Sequence, residues 1–289
     1  GGANYWARVF QRNGHSVKLI SPQFVKPFVK TNKNDADDAQ ALVEAASRPS
    51  MNFVPIKQVE QQDIQSIHRV RSRVVKNRTA LINEIRGLCL EYGIIVSPGA
   101  AKVKRSLCSI IGDATTELTE SSRECMKNFY EELTELEARL KKLNQKVRQL
   151  CQHNETCRRL LKIPGVGELT ATAVVAAVPN ANEFKNGRHM SAWLGLVPRQ
   201  SFSGDKQVLL GISKRGDRYL QTLLIHGARA ALSHYKKRET GYGRWLVERK
   251  TTLSFNKAAV ALANKNPRII WSLLHTGEEF NSNVQMAAA

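Results

Sequence analysis

Hydrophobic positions recur along this chain mainly with the period of an amphipathic helix. The pattern predicts a helix over residues 5–13 that ends at Gly14, a short strand over 16–20, and a second helix over 36–46. This second helix places Asp35, Asp37 and Asp38 at its N-terminus, where the helix dipole favours carboxylates. A helix, a turn and a buried strand indicate a mixed α/β region at the start of a chain that is otherwise mainly α.

A long helix is predicted over residues 59–92, which contain no proline and a single glycine, Gly87. Its apolar residues lie along one side, and its other faces carry Arg69, Arg71, Arg73, Lys76, Arg78 and Arg86. Such a basic surface suits contact with a phosphate backbone, and it is equally ordinary for a solvated helix. Both interpretations stay open at this point.

A heptad seam follows a break near residues 97–99. Its apolar positions alternate at steps of three and four: Met126, Phe129, Leu133, Leu136, Leu140, Leu143, Val147 and Leu150. A helix of this length extends roughly 37 Å and needs a partner helix. That partner is either the helix over 59–92 or a second subunit, so the seam predicts a coiled-coil arm and a homo-oligomer that forms through it.

The sequence Ile163-Pro164-Gly165-Val166-Gly167-Glu168 predicts a hairpin between two helices. Gly165 and Gly167 allow a close backbone approach, and amides at the start of the second helix can face a DNA phosphate. A plain turn within a helical bundle is the alternative.

The net charge of the chain indicates which class of partner it binds. The chain has 44 Lys and Arg against 25 Asp and Glu, a net charge of +19, which favours a polyanion and above all nucleic acid. From Thr156 onward 20 basic residues face 8 acidic ones, whereas residues 111–155 contain 7 and 9. The basic surface therefore belongs mainly to the C-terminal region.

Cysteine spacing and hydropathy exclude other classes of protein. The five cysteines form no C-x-x-C pair, so we expect reduced thiols rather than a zinc site or a disulfide framework. No apolar run reaches the ~20 residues that a membrane-spanning helix requires, and no leader is recognisable. These features predict a soluble protein of the bacterial cytosol or nucleoid, without a membrane partner.

Two segments could carry chemistry. Asp35 and Asp38 are three residues apart at the start of a helix, so both carboxylates can reach one Mg²⁺. Acidic residues in a first helical turn are, however, more often caps.

The second segment, 195–204, places Ser203 beside Gly204 in an exposed loop. Cations that follow or flank this serine could stabilise charge on an attacked phosphodiester: Arg199, Lys206, Lys214, Arg215 and Arg218. Most Ser-Gly pairs are simply turns.

Several motifs in register resemble one family. Lys33 to Ala39 resembles the K-x-D-x-x-D-A segment of the DEDD transposases of insertion sequences, the group of the Piv invertase and the bridge-RNA-guided recombinases. Residues 195–204, 211–220 and 261–265 are similar to the C-terminal transposase domain of that family, in the family's order.

The resemblance implies a RuvC-like domain of ribonuclease-H type at 1–58, a helical coiled-coil arm at 59–155, and a C-terminal transposase domain at 156–289 with a helix-hairpin-helix element. It also implies that Asp35 and Asp38 bind Mg²⁺ as two of four acids, and that Ser203, with Ser201 as the fallback, forms a covalent link to the cut strand. The family's first Asp and its Glu have no counterpart here. We therefore expect an incomplete first domain, poor metal binding and impaired catalysis in this chain taken alone.

The sequence thus predicts a DNA strand transferase that acts on the ends of an element and on a target. A non-catalytic DNA-binding remnant and a structure-selective nuclease or junction resolvase are the alternatives. A guide RNA is a further predicted partner, because the basic surfaces fit either nucleic-acid backbone.

Overall fold

Helices form most of both units into which the chain divides, Gly1–Gln62 and Asp63–Ala289. The computed structural model describes residues 2–29, 34–51, 53–203, 206–213, 215–235 and 239–283, and the side chains of Lys206 and Gln207 lie outside that description.

The first unit combines short strands with helices. In chain order it contains α1 (Ala3–Arg12), β1 (Leu19–Ile20), α2 (Pro22–Val25), a 3₁₀ turn (Lys26–Phe28), α3 (Asp35–Ser47) and β2 (Phe53–Val54). The strand β1 pairs with β2 in antiparallel register, Leu19 opposite Val54. The helices predicted over 5–13 and 36–46 are confirmed, and Gly14 takes the left-handed φ of +84° that ends the first one. The predicted strand over 16–20 is shorter than expected.

Three helices form most of residues 59–153: α4 (Val59–Glu91), α5 (Ala100–Gly112) and α6 (Glu120–His153). Arg71 Nε donates to Asn144 Oδ1 over 2.7 Å and the hydroxyls of Tyr92 and Ser122 lie 2.7 Å apart, so α4 and α6 run antiparallel. The seam of α6 packs against α4 and α5 through one apolar cluster, whose buried members include Val74, Leu81, Ile85, Val103, Leu107, Met126, Leu133, Leu136 and Leu140.

The partner helix that the seam needs is therefore supplied by the same chain. The sequence pattern did not predict α5, which contributes a second wall to this cluster. Homo-oligomerisation through α6 stays a prediction.

The C-terminal part is a helical bundle with one β-hairpin. It contains α7 (Glu155–Leu160), α8 (Glu168–Ala177), a 3₁₀ turn (Ala181–Glu183), α9 (Gly187–Trp193), β3 (Pro198–Ser203), β4 (Lys206–Ile212), α10 (Arg218–His234), α11 (Gly241–Thr252) and α12 (Phe255–Thr276). The helix α8 is apolar on nearly every side and lies in the core, as such helices do. It packs on α6 and α10, while α12 packs on α9 and α10. The chain enters the β-hairpin from this core, to which Leu194 and Leu196 belong.

The five cysteines all lie in helices and are free thiols. Among the described residues, no helix has both the length and the apolarity to cross a membrane.

Candidate functional site

The segment around Ser203, which we expected to be an exposed loop, forms an antiparallel β-hairpin. The strand β3 pairs with β4 from Pro198 opposite Ile212 to Ser203 opposite Lys206, with an irregularity between Pro198 and Gln200. The loop prediction is wrong because the partner strand, rich in Val and Leu, satisfies the backbone groups of β3.

Ser203 is the last residue of β3, and its side chain is exposed. Ser201 is also exposed on the same strand, opposite Val208. Since residues two apart on a strand face the same way, both hydroxyls lie on one face of the hairpin. Ser203 is the serine closer to the tip.

Two amide side chains, the buried Gln221 and the half-buried Asn264, anchor the base of the hairpin to the helical core. Gln221 Nε2 donates to the carbonyl oxygens of Leu194 and Gly195, each over 3.1 Å. Asn264 Nδ2 donates to the carbonyl oxygen of Leu196 over 2.9 Å. The chain that enters β3 is therefore fixed to both α10 and α12.

Two glycines bring the incoming and outgoing chains of the hairpin together. Gly195 has a left-handed φ of +69°, and a Cβ atom at this position would lie 2.7 Å from the backbone nitrogen of Gly216. A side chain at either position would force the two chains apart. The three C-terminal motifs, 195–204, 211–220 and 261–265, thus converge at the base of the hairpin.

The predicted phosphate-binding cations are distributed around this hairpin. Arg199 lies on β3, Arg215 follows β4, and Arg218 is the first residue of α10; all three side chains are exposed. Within the described part of the chain, none of them forms an ion pair with a carboxylate. Lys214 and the side chain of Lys206 lie outside the described residues.

Asp35 and Asp38 lie in the first turn of α3 with exposed side chains, whereas Asp37 is half-buried. Asn34 caps this helix, since its side chain accepts from the backbone N–H of Ala36 over 3.1 Å. The two carboxylates are therefore not needed as the N-cap and are open to solvent. In the described ranges, no group of three or more His, Cys, Asp or Glu side chains is placed to hold a metal ion.

In the Pro-Gly-Val-Gly hairpin between α7 and α8, packing within the protein requires the first glycine. Gly165 has a φ of +88°, and a Cβ atom there would lie 2.7 Å from the carbonyl oxygen of Gly227 on α10. Gly167, by contrast, has extended backbone, is exposed, and would place a Cβ with no neighbour within 4 Å. Of the two glycines, Gly167 is the one with room for an external ligand.

A buried polar cluster that the sequence reasoning missed links α4 to this domain. His68 is 4% exposed, and its Nε2 lies 2.9 Å from the hydroxyl of Thr172. Burial, aided by the positive charge of Arg71, lowers the pKa of His68 to about 4. Apolar periodicity gave no signal for it, because the six residues from His68 to Val74 place the two side chains about 120° apart around α4.

Comparison with known proteins agrees with these motifs. A family model described as Transposase IS116/IS110/IS902 family matches residues 157–243, and a DEDD transposase model of the IS110 type matches residues 2–94. These matches include the serine hairpin and the Asp35–Asp38 segment, respectively.

Similar transposases cover nearly the whole chain. The transposase for insertion sequence element IS1111A of Coxiella burnetii is 49% identical over 280 residues, which are 97% of this chain and 77% of that protein. A probable family 20 transposase of Pseudomonas aeruginosa is 48% identical over 95% of this chain and 81% of its own length. The transposase for IS1328 of Yersinia enterocolitica is 37% identical, with coverages of 97% and 83%. The resemblance drawn from the sequence motifs is confirmed: the chain belongs to the IS110/IS116/IS902 family of insertion-sequence transposases, the DEDD type.

Proposed function

We propose that this protein binds the ends of an insertion sequence and catalyses DNA strand cleavage and transfer, with Ser203 as the nucleophile. The observation that carries the proposal is the exposed position of Ser203 at the tip end of a hairpin whose base is fixed to the helical core. A reactive group on a rigid support keeps its orientation when a strand binds.

The serine chemistry is a transesterification. Ser203 Oγ attacks the phosphorus of a DNA phosphodiester, so a P–Oγ bond forms while the bond from phosphorus to one deoxyribose oxygen breaks. The proton of the serine hydroxyl ends on the leaving oxygen, which becomes a free strand end with a hydroxyl group. Attack by a hydroxyl of another strand on the phosphoserine restores Ser203 and joins the strands, so no external reductant, oxidant or nucleotide is consumed.

Exposed cations on and beside the hairpin support phosphate binding. The guanidinium groups of Arg199, Arg215 and Arg218 can each donate to phosphate oxygens, and pairing with the described carboxylates does not occupy them. Lys206 and Lys214 add two more cations from the sequence. Charge of this kind stabilises the additional negative charge that develops on phosphorus during attack.

Asp35 and Asp38 suit a divalent metal of the kind the DEDD family implies. Mg²⁺ binds proteins through one or two carboxylates and completes its coordination with water and substrate phosphates, and two exposed carboxylates one helical turn apart fit this requirement. When bound, Mg²⁺ neutralises charge on phosphate oxygens. The two aspartates would hold it.

The Gly165–Gly167 hairpin is a second proposed DNA contact. The start of α8 presents unsatisfied N–H groups near Gly167, which is exposed. Glu168 in the same turn forms an ion pair with Arg148 at 3.1 Å, and this pairing partly neutralises its charge. The proposed C-terminal transposase domain at 156–289 would thus contact DNA through both hairpins.

The test is a search for a covalent protein–DNA adduct. The protein is incubated with Mg²⁺ and a labelled duplex that carries a cognate element end, and the denatured products are separated by electrophoresis. In keeping with the impaired catalysis expected from the sequence, we expect only a slowly formed adduct with the unaltered protein and with Ser201→Ala, and none with Ser203→Ala. Cleavage that persists without an adduct in Ser203→Ala would favour a hydrolytic nuclease and overturn the serine mechanism.

A further inference from the structure

A cleft lies beside the base of the serine hairpin. It has a volume of about 1250 Å³ and is bounded by α9, α11 and α12. Pro198 and Ile212, the paired residues at the base of the hairpin, form its edge. The cleft is therefore continuous with the element that carries Ser203.

The walls of this cleft are strongly basic. Five cations line it, from three different helices: Arg188, Arg249, Lys257, Lys265 and Arg268. Glu248 is the one carboxylate among its described lining residues, and its oxygen lies 3.8 Å from Arg249, a loose and exposed pair. Such exposed pairs contribute little, so the cleft keeps a large excess of positive charge.

An aromatic side chain orders two of these cations. Lys265 Nζ lies 4.1 Å from the centre of the Trp245 ring, and the guanidinium carbon of Arg249 lies 5.7 Å from it. Cation–π contacts of this length hold the side chains in place. Since Lys265 and Arg249 already contact Trp245, the cleft offers ordered charge rather than a stacking surface for a base.

Trp271, the other tryptophan that lines the cleft, also has its N–H group and its ring occupied by contacts within the protein. Its Nε1 donates to the carbonyl oxygens of Ala181 and Phe184 over 3.1 and 3.2 Å, and its ring stacks on His275. The ligand that fits this site is thus recognised by its negative charge.

Crowding of like charges makes the cleft favourable for an anion. Burial, together with the nearby Arg268 and Arg249, lowers the pKa of Lys265 to about 8. Burial and Arg188 also lower the pKa of Arg268. A bound phosphate would relieve this repulsion, because each cation would then face a negative group.

We propose that the cleft lined by Arg188, Lys257 and Lys265 binds phosphodiester groups of a nucleic-acid strand and holds that strand against the base of the serine hairpin. The inference deepens the proposed function, because it assigns a second anchor to the substrate of the same hairpin. Five residues separate Pro198 from Ser203, a span of roughly 17 Å at strand rise. This span equals about five nucleotide rises, so a strand fixed in the cleft can reach the tip.

Equilibrium binding separates this proposal from the serine mechanism, since Ser203 is unaltered and no cleavage is measured. The probes are a fluorescein-labelled 20-nucleotide single-stranded DNA and an RNA of the same sequence, titrated at several KCl concentrations and read by fluorescence anisotropy. The test variant is Arg188→Gln/Lys257→Gln/Lys265→Gln. Its control is Lys127→Gln/Lys142→Gln/Lys146→Gln, which removes equal charge from exposed positions on α6.

We expect the dissociation constant of the cleft variant to be roughly ten-fold or more higher than that of the control. The slope of log K against log salt concentration should also decrease in magnitude by about two, because three phosphate contacts are lost. Thermal unfolding followed by circular dichroism establishes that both variants are folded. A defect with DNA, RNA or both supports the cleft, and the more strongly affected probe identifies the strand it prefers. Dissociation constants and salt slopes equal to those of the control, for both probes, would overturn the proposal. If the cleft variant is unfolded, the exposed pair Arg188→Gln/Lys257→Gln is measured instead against Lys127→Gln/Lys142→Gln, with the same criterion.

Discussion

The hydroxyl of Tyr219 on α10 lies 2.9 Å from Nδ1 of His68 on α4, and this contact joins α4 to the helical bundle that carries the serine hairpin. The Thr172 hydroxyl donates to the carbonyl oxygen of Glu168 over 2.7 Å, so it accepts from His68 Nε2. Nδ1 is then the acceptor for Tyr219. Both ring nitrogens are satisfied when His68 is neutral.

His68 should make the unfolding free energy depend on pH. Its pKa is about 4 in the folded protein and about 6.5 when unfolded, so the unfolded state binds more protons between these values. The stability contributed by neutral His68 is fully present above pH 6.5 and is lost as the pH falls towards 4. We expect the unaltered protein to lose up to about 3 kcal/mol more than His68→Leu over this range in urea unfolding.

His153, exposed near the end of α6, provides the matched control for His68. Because His153→Leu leaves His68 in place, it should retain the part of the pH dependence that His68→Leu loses. Parallel curves for the unaltered protein and His68→Leu would contradict the assignment of a neutral buried imidazole.

Gly165 and Gly227 should tolerate no side chain. Alanine at Gly227 would drive its Cβ into the carbonyl of Gly165, and alanine at Gly165 combines a similar clash with a left-handed φ of +88°. Overpacking and backbone strain of this kind cost roughly 2 kcal/mol or more. Chemical denaturation of Gly165→Ala and Gly227→Ala should show this loss.

Gly167→Ala separates folding from DNA contact at the same hairpin. No atom lies within 4 Å of its Cβ, so the unfolding free energy should change by less than about 1 kcal/mol. If the hairpin approaches a phosphate closely, this variant should nevertheless bind duplex DNA more weakly. Unchanged DNA affinity in a stable Gly167→Ala protein would remove Gly167 from the proposed interface.

Gln221→Met should weaken the serine hairpin without altering a reacting group. The change removes the donor that satisfies the carbonyls of Leu194 and Gly195, and buried carbonyls left without a donor cost about 1–3 kcal/mol. We expect a lower unfolding free energy and a several-fold slower formation of the Ser203–DNA adduct. Gln145→Met, at an exposed position of α6, serves as control, and equal adduct rates in the two variants would show that the anchor does not position Ser203.

Periodic apolar spacing predicted α4 and α6 well, because each of these helices buries a row of apolar side chains. The helix α3 was also predicted, but it buries Ala41 and Ala45 and leaves Leu42 and Val43 exposed. The β-hairpin was missed for a physical reason. All the residues of β3 are exposed, so no alternation of buried and exposed positions exists for a pattern to reveal, and the strand is defined by its pairing with β4.

The residues of the candidate site could be predicted from sequence motifs, but their arrangement in space could not. Ser203 and the cations around it could be named from the sequence, whereas the convergence of Gly195, Gly216 and Asn264 depends on backbone contacts between distant segments. Gly165 illustrates the same limit. Its sequence context suggested contact with DNA, and the structure places the backbone of Gly227 against it.

Lys265 should give nucleic-acid binding a pH dependence above neutrality. The groups that face it are Arg249 and Glu248 from α11 and Arg268 from α12, and its pKa is about 8 because burial and the two arginines disfavour its charge. If the cleft binds phosphate through the ammonium form, only about one-tenth of the free protein is ready to bind at pH 9. Affinity for single-stranded DNA should therefore fall by up to about ten-fold relative to pH 7.

The Lys265→Arg variant serves as the control, because arginine retains its charge at both pH values, so its affinity for DNA should change little. Anisotropy titrations of the two proteins at pH 7 and 9 test this, and an identical loss in both would assign the pH effect to groups other than Lys265.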